Sequence, residues 1–372
     1  MHLDNLLEEN KPLAPFTTLG VGGPARWFVK ATSEDEVAEA VAWAGRKGVQ
    51  LFVLGGGSNL VVSDAGFDGL VLHVVLDGMA VEDPGLGSGQ KIFRVAAGED
   101  WDSFVARTVA EDCAGLECLA GIPGTVGGTP VQNVGAYGQE VSSTIERVRA
   151  FDLRQRQWVE FTAAECGFAY RRSRFNTVDR GKYVVTRVDF RLTPGGAATL
   201  SYADLRRAFA ADAKPTLADV AGAVRRIRQS KGMLLVEGDR DCRSAGSFFK
   251  NPVVAETQAA WIAHRSGKEP PRFPTGNAGM VKIPAAWLIE QAGFAKGYAM
   301  GCAGISSRHT LALINRCGAT ALEILALAHE IRSAVQLRFE ILLEIEPVLV
   351  GIEPDWTASA AQVSRAKRAL RW

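Results

Sequence analysis

Bias in charge is nearly absent from the 372-residue sequence, in which 42 lysines and arginines stand against 41 aspartates and glutamates for a formal net charge of +1. Without a bulk positive field, nucleic acid and anionic membrane surfaces have no long-range electrostatic pull on the chain, and any anion must be held by local groups. Cysteine is sparse and unpatterned. The six cysteines, at 113, 118, 166, 242, 302 and 317, form no C-x-x-C, which speaks against zinc ligation or a disulfide framework and predicts free thiols and no metal site. The opening residues, "MHLDNLLEENKPLAPF", lack the basic segment and apolar run of a secretory leader, so a cytoplasmic protein is expected. From Cys118 to Gln139, "CLAGIPGTVGGTPVQNVGAYGQ" carries no charged side chain over a length that can span a bilayer. Its glycines, its two prolines, Gln132 and Asn133 nevertheless make a poor membrane helix, and no membrane insertion is expected. No internal repeat is visible.

Several common signatures are missing too. In "SAGSFFKNP", Ser247 follows Gly246 but precedes Phe248 and Phe249, so the G-x-S-x-G elbow of a nucleophilic serine is not formed. Neither His264 nor His309 stands at a supporting spacing, and Ser247 reads as either a structural hydroxyl or an acid. His2, His73, His264 and His329 carry no spacing signal and read as structural. "LFVLGGGSNLVV", Leu51 to Val62, is neither a G-x-G-x-x-G leading into a helix nor a Walker loop.

What is present is ordinary soluble-protein composition, 47% hydrophobic and 22% charged, in a chain long enough for two or three domains. Short strands broken by glycine turns ("ARWFVKA", "VQLFVLGGGSN", "GLVLHVV", "KIFRVAAG") alternate with helical stretches. In "SEDEVAEAVAWAGRKG", Ser33 and Glu36 suggest a capping box and Gly48 a stop. "RVRAFDL" and "WVEFT" flank a polar turn, "TAAECGFAY" starts at a second capping pair, Thr162 and Glu165, and "YVVTRVDFRL" follows. After the Pro-Gly boundary "TPGGAATLSYADL" helical content rises, with starts at Thr216, Pro284 and Thr320. "FEILLEIEPVLVG" reads as a last strand and "SAAQVSRAKRALRW" as a short basic amphipathic helix or a disordered tail. The fold class is α+β.

Five stretches carry chemistry or its ordinary alternative. Gly55, Gly56, Gly57, Ser58 and Asn59 follow a hydrophobic strand, where converging N–H groups suit phosphate oxygens but a plain tight turn serves equally. A second glycine-rich stretch, "GIPGTVGGTPVQNVGAYG", strengthens the first reading, since two such loops can clasp a pyrophosphate. "YRRSRF", Tyr170 to Phe175, sets three arginines beside aromatics, either a solvated basic face or a carboxylate or phosphate clamp. Arg225, Arg228 and Lys231 lie along one helix end, and Glu344 and Glu346 alternate with apolar residues on one strand face, solvated or acid-bearing.

Taken in order, "TTLGVGGPARWFV", "LGGGSNLVV", "GIPGTVGGTPVQNVGAYGQEV", "YRRSRF", "AGSFFKNP", "AAWLIEQAG" and "HTLALIN" resemble the UDP-N-acetylenolpyruvoylglucosamine reductases of bacterial peptidoglycan synthesis, over about residues 15 to 351. The resemblance implies an FAD-binding fold of the vanillyl-alcohol-oxidase type in two subdomains, 1–74 (completed by 347–372) and 75–214, with a smaller α+β substrate domain at 215–346. It implies that Gly55, Gly56, Gly57, Ser58 and Asn59 form the flavin pyrophosphate loop, supported by Gly121, Ile122, Gly127, Thr129, Gly135 and Arg228. Arg171 and Glu346 match the pair flanking the enolpyruvyl carboxylate, with Glu344 as the alternative, and Ser247 matches the proton donor. Tyr202, Lys231, Asn251 and Lys296 match positions around the nucleotide diphosphate, and Tyr137 the substrate-covering loop of the tyrosine-loop (type I) subgroup. The departures are His309, where a subgroup has glutamine, and "EIEPVLVG", where the family often has Pro-Glu-Val; Val348 also stands where some members place a flavin-contacting arginine.

The implied reaction uses non-covalent FAD reduced by NADPH. Hydride passes from flavin N5 to C3 of UDP-N-acetylglucosamine enolpyruvate, Arg171 and Glu346 stabilise the developing enolate, and Ser247 gives a proton to C2, yielding UDP-N-acetylmuramate. The chain is expected to be a monomer with no nucleic-acid partner. Two other readings stay open on the residues: an alcohol oxidase of the same flavin fold, and a non-catalytic nucleotide-sugar sensor that retained the loops.

Overall fold

The computed structural model describes residues 3–83, 85, 89–353 and 356–357; the C-terminal "SAAQVSRAKRALRW" and His2 lie outside the described residues. The chain divides into two compact units, each with its own apolar core.

The first unit comprises Met1–Lys11, Ala25–Gly56 and Asp68–Gln229. One sheet runs in the order Glu8–Pro12, Pro24–Ala31, Phe67–Val74, Gln50–Leu54. Its last two strands are parallel, from Gln50 opposite Gly69 to Leu54 opposite His73. The helix Glu34–Lys47 precedes the outer strand of this pair, Gln50–Leu54, and buries Val37, Ala40, Val41 and Ala44 on one face at helical spacing. Ser33 Oγ accepts the Glu36 N–H at 3.2 Å, and Gly48, at φ 65°, ends the helix. Glu36 returns to the N–H of Thr32 (2.6 Å), one residue before the N-cap, with the Ser33 N–H also drawn to its carboxylate. The strand that follows therefore delivers Gly55 at the sheet's carboxyl end.

A second, antiparallel sheet orders Gln157–Thr162, Ile145–Asp152, Tyr183–Pro194, Lys91–Ala96 and Met79–Glu82. Beneath it Phe93, Trp101, Phe104 and Phe190 pack with ring centroids 5.1 to 6.0 Å apart, each fully buried and worth roughly 1.5–3 kcal/mol of transfer free energy. This core carries the glycine-rich run, which folds into 3-10 turns at Glu117–Leu119 and Val126–Gly128. Thr162 and Glu165 do make the reciprocal capping contacts, yet no helix follows. Cys166 N–H closes onto Thr162 O and Gly167 takes φ 59°, which turns the chain instead.

The second unit comprises Pro12–Pro24, Gly57–Phe67 and Ser230–Trp372. The helix Ala321–Phe339 opens with a complete capping box, Thr320 with Glu323, and buries Ile324, Ile331, Val335 and Phe339 among Phe248, Phe249, Leu288 and Ile289. That burial corrects the expected long strand through "FEILLEIEPVLVG": Phe339 belongs to the helix, Glu340 caps it at φ 57°, and strand remains only at Val348–Val350, parallel to Leu60–Val62. Apolar residues at helical spacing outweighed the β propensity of the segment.

The expectation of six free thiols is also corrected. The hairpin Ala299–Met300/Ala303–Ile305 and the strand Leu313–Asn315 bring Cys302 and Cys317 together as a disulfide at a sequence separation of 15, a spacing that carries no local signature. Cys113, Cys118, Cys166 and Cys242 are free and buried, and burial pushes the Cys118 and Cys166 thiols up to about 12.

Candidate active site

In the first unit, the two glycine-rich segments meet. Cβ atoms built on Gly55 and Gly56 fall 2.9 Å from Thr125 Oγ1 and 2.5 Å from Gly124 Cα, so backbone lies against backbone where any side chain would intrude. The Thr125 hydroxyl is buried without a hydrogen-bond partner. Thr125 was not singled out from the sequence, although a hydroxyl set among glycines in "GIPGTVGG" was the available signal. Gly127 backs onto Ala97, Thr129 spends its hydroxyl on Val126 O (2.8 Å), and Ile122 packs on the core edge. Gly121 is held at both ends: its N–H donates to Asp102 (2.6 Å) and its carbonyl accepts from Arg228 Nε (3.0 Å). Asp102 is also gripped by Arg225. Arg228 is buried, which draws its guanidinium below the usual arginine range, with Tyr137 and Asp102 pulling the other way and Arg225 adding to the fall. A bare backbone clasp, an unspent hydroxyl and a buried guanidinium suit the pyrophosphate and polar edge of a dinucleotide flavin.

Gly135–Ala136 pairs with Gln139–Glu140, leaving Tyr137 and Gly138 as a two-residue hairpin turn, both left-handed at φ 49° and 86°. The Tyr137 ring meets Tyr202 edge-on, centroids 5.5 Å apart. Arg171 also sits in left-handed backbone, φ 55°, a conformation costing roughly 1–3 kcal/mol for a non-glycine residue and common at functional sites. Side chains enforce it. Asn176 Nδ2 donates to Arg171 O (3.1 Å), Asn133 Nδ2 to Ala169 O (3.1 Å) and Ser173 Oγ to Val131 O (2.6 Å), so the arginine turn is strapped to the glycine-rich run.

In the second unit Gly57 lies against Phe16 O, only 1.8 Å from its would-be Cβ. Thr18 donates its N–H to Gly57 O (3.2 Å) and its hydroxyl to Ser244 O (2.7 Å) and Ser58 O (3.3 Å). Asn59 spans residues 346 to 348: Nδ2 donates to Glu346 O (3.4 Å) and its carbonyl accepts from Val348 N–H (2.9 Å). Glu346 N–H donates to Phe248 O (3.0 Å), and Lys250 N–H to Glu344 O (2.9 Å), which sets residues 344–346 alongside 248–250. Glu344 is exposed and ion-paired with Lys250, whereas Glu346 is half-buried. Ser247 is half-buried, and among the described residues its hydroxyl makes no hydrogen bond; the turn here is capped by Ser244 Oγ, which accepts the Gly246 N–H (3.3 Å).

Lys231, Lys296 and His309 converge electrostatically. Burial, with both lysines adding to it, brings the His309 imidazole down to about 4, so it is neutral near pH 7. The turn carrying it is pinned on its amino side: Asp241 accepts from Ser307 Oγ (2.6 Å) and Arg308 Nε (3.0 Å), and Asp239 pairs with Arg308. These two aspartates were not picked out from the sequence. Asn251 Oδ1 accepts the N–H of Ala285 (2.9 Å), starting the helix Ala285–Gln291. Two cations beside a neutral imidazole can receive an anion. Among the described residues no cluster of three or more metal-type ligands occurs, and no helix is long and apolar enough to cross a membrane.

Fold and site together define an FAD-binding flavoprotein: residues 25–156 match the FAD binding domain family. Residues 238–350 match the C-terminal domain of UDP-N-acetylenolpyruvoylglucosamine reductase. The chain is 48% identical to the UDP-N-acetylenolpyruvoylglucosamine reductase of Thermobifida fusca, covering 92% of this chain and 98% of that protein. To the protein of that name from Streptomyces coelicolor it is 47% identical, over 92% and 89%. The crystal structure of the reductase from Thermus caldophilus superposes with a TM-score of 0.62 at 26% identity, covering 92% of this chain and 98% of that one. The chain belongs to the UDP-N-acetylenolpyruvoylglucosamine reductase family.

Proposed function

We propose that the chain performs its family's reaction, the NADPH-dependent and FAD-dependent reduction of UDP-N-acetylglucosamine enolpyruvate in peptidoglycan precursor synthesis, with Ser247, Arg171 and Glu346 as catalytic residues. FAD, when bound, supplies the hydride to C3 of the enolpyruvyl group, and NADPH restores it. Gly55 to Asn59, Gly121, Ile122, Gly127, Thr129, Gly135 and Arg228 hold the flavin in this reading. Arg171, preset by its left-handed backbone, offers a planar fork to the enolpyruvyl carboxylate. Glu346 takes its place beside the Ser247 segment, since Glu344 is engaged by Lys250 at the surface. Ser247 gives its proton to C2, which carries enough negative charge after hydride addition to accept it from a weak acid. Lys231, Lys296, Asn251 and His309 receive the diphosphate, while Tyr137 and Tyr202 cover the nucleotide as in the tyrosine-loop subgroup.

We place the flavin subdomains at 1–74 and 75–214 and the substrate domain at 215–346, and read the protein as a cytoplasmic monomer. The observation that carries the catalytic proposal is the Ser247 hydroxyl, left out of the turn's own hydrogen bonds while Ser244 does the capping. Stopped-flow absorbance of each half-reaction tests it. Ser247→Ala should keep FAD, be reduced by NADPH at nearly the wild-type rate, and lose several orders of magnitude in reoxidation by the enolpyruvyl nucleotide. Ser247→Cys should recover part of that loss, since a thiol still donates. Equal reoxidation rates in Ser247→Ala and wild type would remove Ser247 from the chemistry.

A further inference from the structure

Glu117 is a wholly buried carboxylate, 0% exposed, and among the described residues no lysine or arginine pairs with it. Its charge is met by N–H donors alone. Oε2 accepts from Gly115 N–H (2.8 Å), and Oε1 accepts from Gln139 Nε2 (2.8 Å) and Thr199 N–H (2.8 Å). Gln139 closes the ring, with Oε1 accepting from Cys118 N–H (2.8 Å) and Nε2 also reaching Thr199 Oγ1 (3.1 Å). Burying such a group is costly unless every lone pair is used, so its neighbours are held tightly in place.

The three segments gathered this way are the ones that carry the nucleotide side of the first unit. Gln139 lies two residues beyond Tyr137, at the hairpin's return strand. Thr199 lies three residues before Tyr202. Glu117 itself opens the 3-10 turn that leads into Gly121. The two tyrosine-bearing segments also touch directly: a Cβ on Gly138 would fall 1.9 Å from Ser201 Oγ, and the rings of Tyr137 and Tyr202 meet edge-on.

We propose that Glu117 is a positioning residue that fixes Tyr137 and Tyr202 as one unit for nucleotide binding, without touching substrate. The proposal rests on the reading of those tyrosines as nucleotide-covering groups. A glutamine at 117 keeps the volume but must aim its own NH2 at a site where only N–H groups arrive, so at least one strap is lost. The holoenzyme variants Glu117→Gln, Tyr137→Ala, Tyr202→Ala and the Glu117→Gln/Tyr202→Ala double variant are compared by flavin absorbance and by titration with UDP-N-acetylglucosamine enolpyruvate. Glu117→Gln is expected to keep FAD and the NADPH half-reaction and to weaken nucleotide binding about tenfold, or ~1.4 kcal/mol. In the Tyr202→Ala background the same change should cost less than about twofold, because coupled residues are non-additive.

Gln139→Met, which leaves the carboxylate its two backbone donors, is the second variant should Glu117→Gln not fold, and the same pattern is expected of it. A tenfold loss that persists undiminished in the Tyr202→Ala background, or a fall in melting temperature with unchanged affinity, would make Glu117 merely structural and overturn the proposal. Normal affinity in Glu117→Gln beside weakened Tyr137→Ala and Tyr202→Ala overturns the role of Glu117 alone. Unchanged affinity in both tyrosine variants overturns it by removing the reading beneath it.

Discussion

Replacing Gly56 by alanine tests whether the bare backbone contact between the two glycine-rich segments is what holds the flavin. The added Cβ falls 2.5 Å from Gly124 Cα, 2.8 Å from Gly124 C and 2.9 Å from Thr125 N. Carbon atoms rest at about 3.5–4.0 Å, so the segments must part by roughly 1–1.5 Å. Neither side yields easily. Residue 56 follows a strand laddered in parallel register to Phe67–Val74, and Gly124 is fixed by the N–H of Trp101 donating to its carbonyl (3.0 Å). Overpacking of this kind costs roughly 1–3 kcal/mol; taken from the clasp, it corresponds to a loss of about five- to 150-fold in FAD affinity.

The assay is the ratio of flavin to protein absorbance after gel filtration, followed by equilibrium titration of the apoprotein with FAD. Gly48→Ala is the control. Gly48 caps a helix at φ 65° with nothing within 4 Å of its would-be Cβ, so that variant should lose about 1 kcal/mol of stability and no flavin affinity. Wild-type FAD affinity in Gly56→Ala would refute the steric argument, since the Cβ would then have been accommodated without parting the loops.

Tyr137→Phe should weaken substrate handling with normal flavin content, and Tyr137→Ala should do so more strongly; unchanged substrate kinetics in both would remove the covering role. His309 sets a stability–pH slope. Its folded pKa of about 4 lies below the ordinary 6.5, so as pH falls through 6.5 the unfolded chain takes up a proton that the folded chain refuses. Stability is therefore lost between about pH 6.5 and 4, by up to ~3 kcal/mol, and urea denaturation should give a shallower pH dependence for His309→Gln. Lys231→Met should raise the imidazole's titration midpoint, read by NMR, because it removes one of the two cations holding it down.

Much of the fold was legible because periodicity and caps are local. Thr320 with Glu323, Thr216 with Asp219 and Gly48 all act as read. Thr162 with Glu165 shows the limit: the capping contacts form, but Gly167 arrives within a turn and no buried stripe rewards a helix. The stretch around Phe339 failed for the converse reason, since its apolar residues satisfy a helical face as well as a strand, and only the packing partners at Phe248 and Leu288 decide. Cys302 with Cys317 was invisible because the pair is made by a hairpin and a neighbouring strand rather than by spacing. At the site, residue types and order were readable, whereas Thr125, Asp241 and Glu117 were not. Each of these acts through a contact with a backbone or side chain remote in sequence, which no one-dimensional pattern records.

The distribution of charge at the candidate site also favours the proposed hydroxyl over a histidine as the proton source. His309 shares the second unit with Ser247, but burial and two lysines hold its pKa at about 4, so near pH 7 only about one molecule in a thousand carries the proton. In the proposed reading the lysines that suppress it receive an anionic diphosphate, and a site tuned for that anion is for the same reason unsuited to a cationic acid. Serine escapes the conflict: neutral before it donates, it is indifferent to nearby cations until the proton leaves. From then on positive charge nearby stabilises the alkoxide left behind. Anion binding and proton donation thus become compatible in one unit once the donor is a hydroxyl, and the unspent side chain of Ser247 occupies the segment where residues 248 and 346 are hydrogen-bonded.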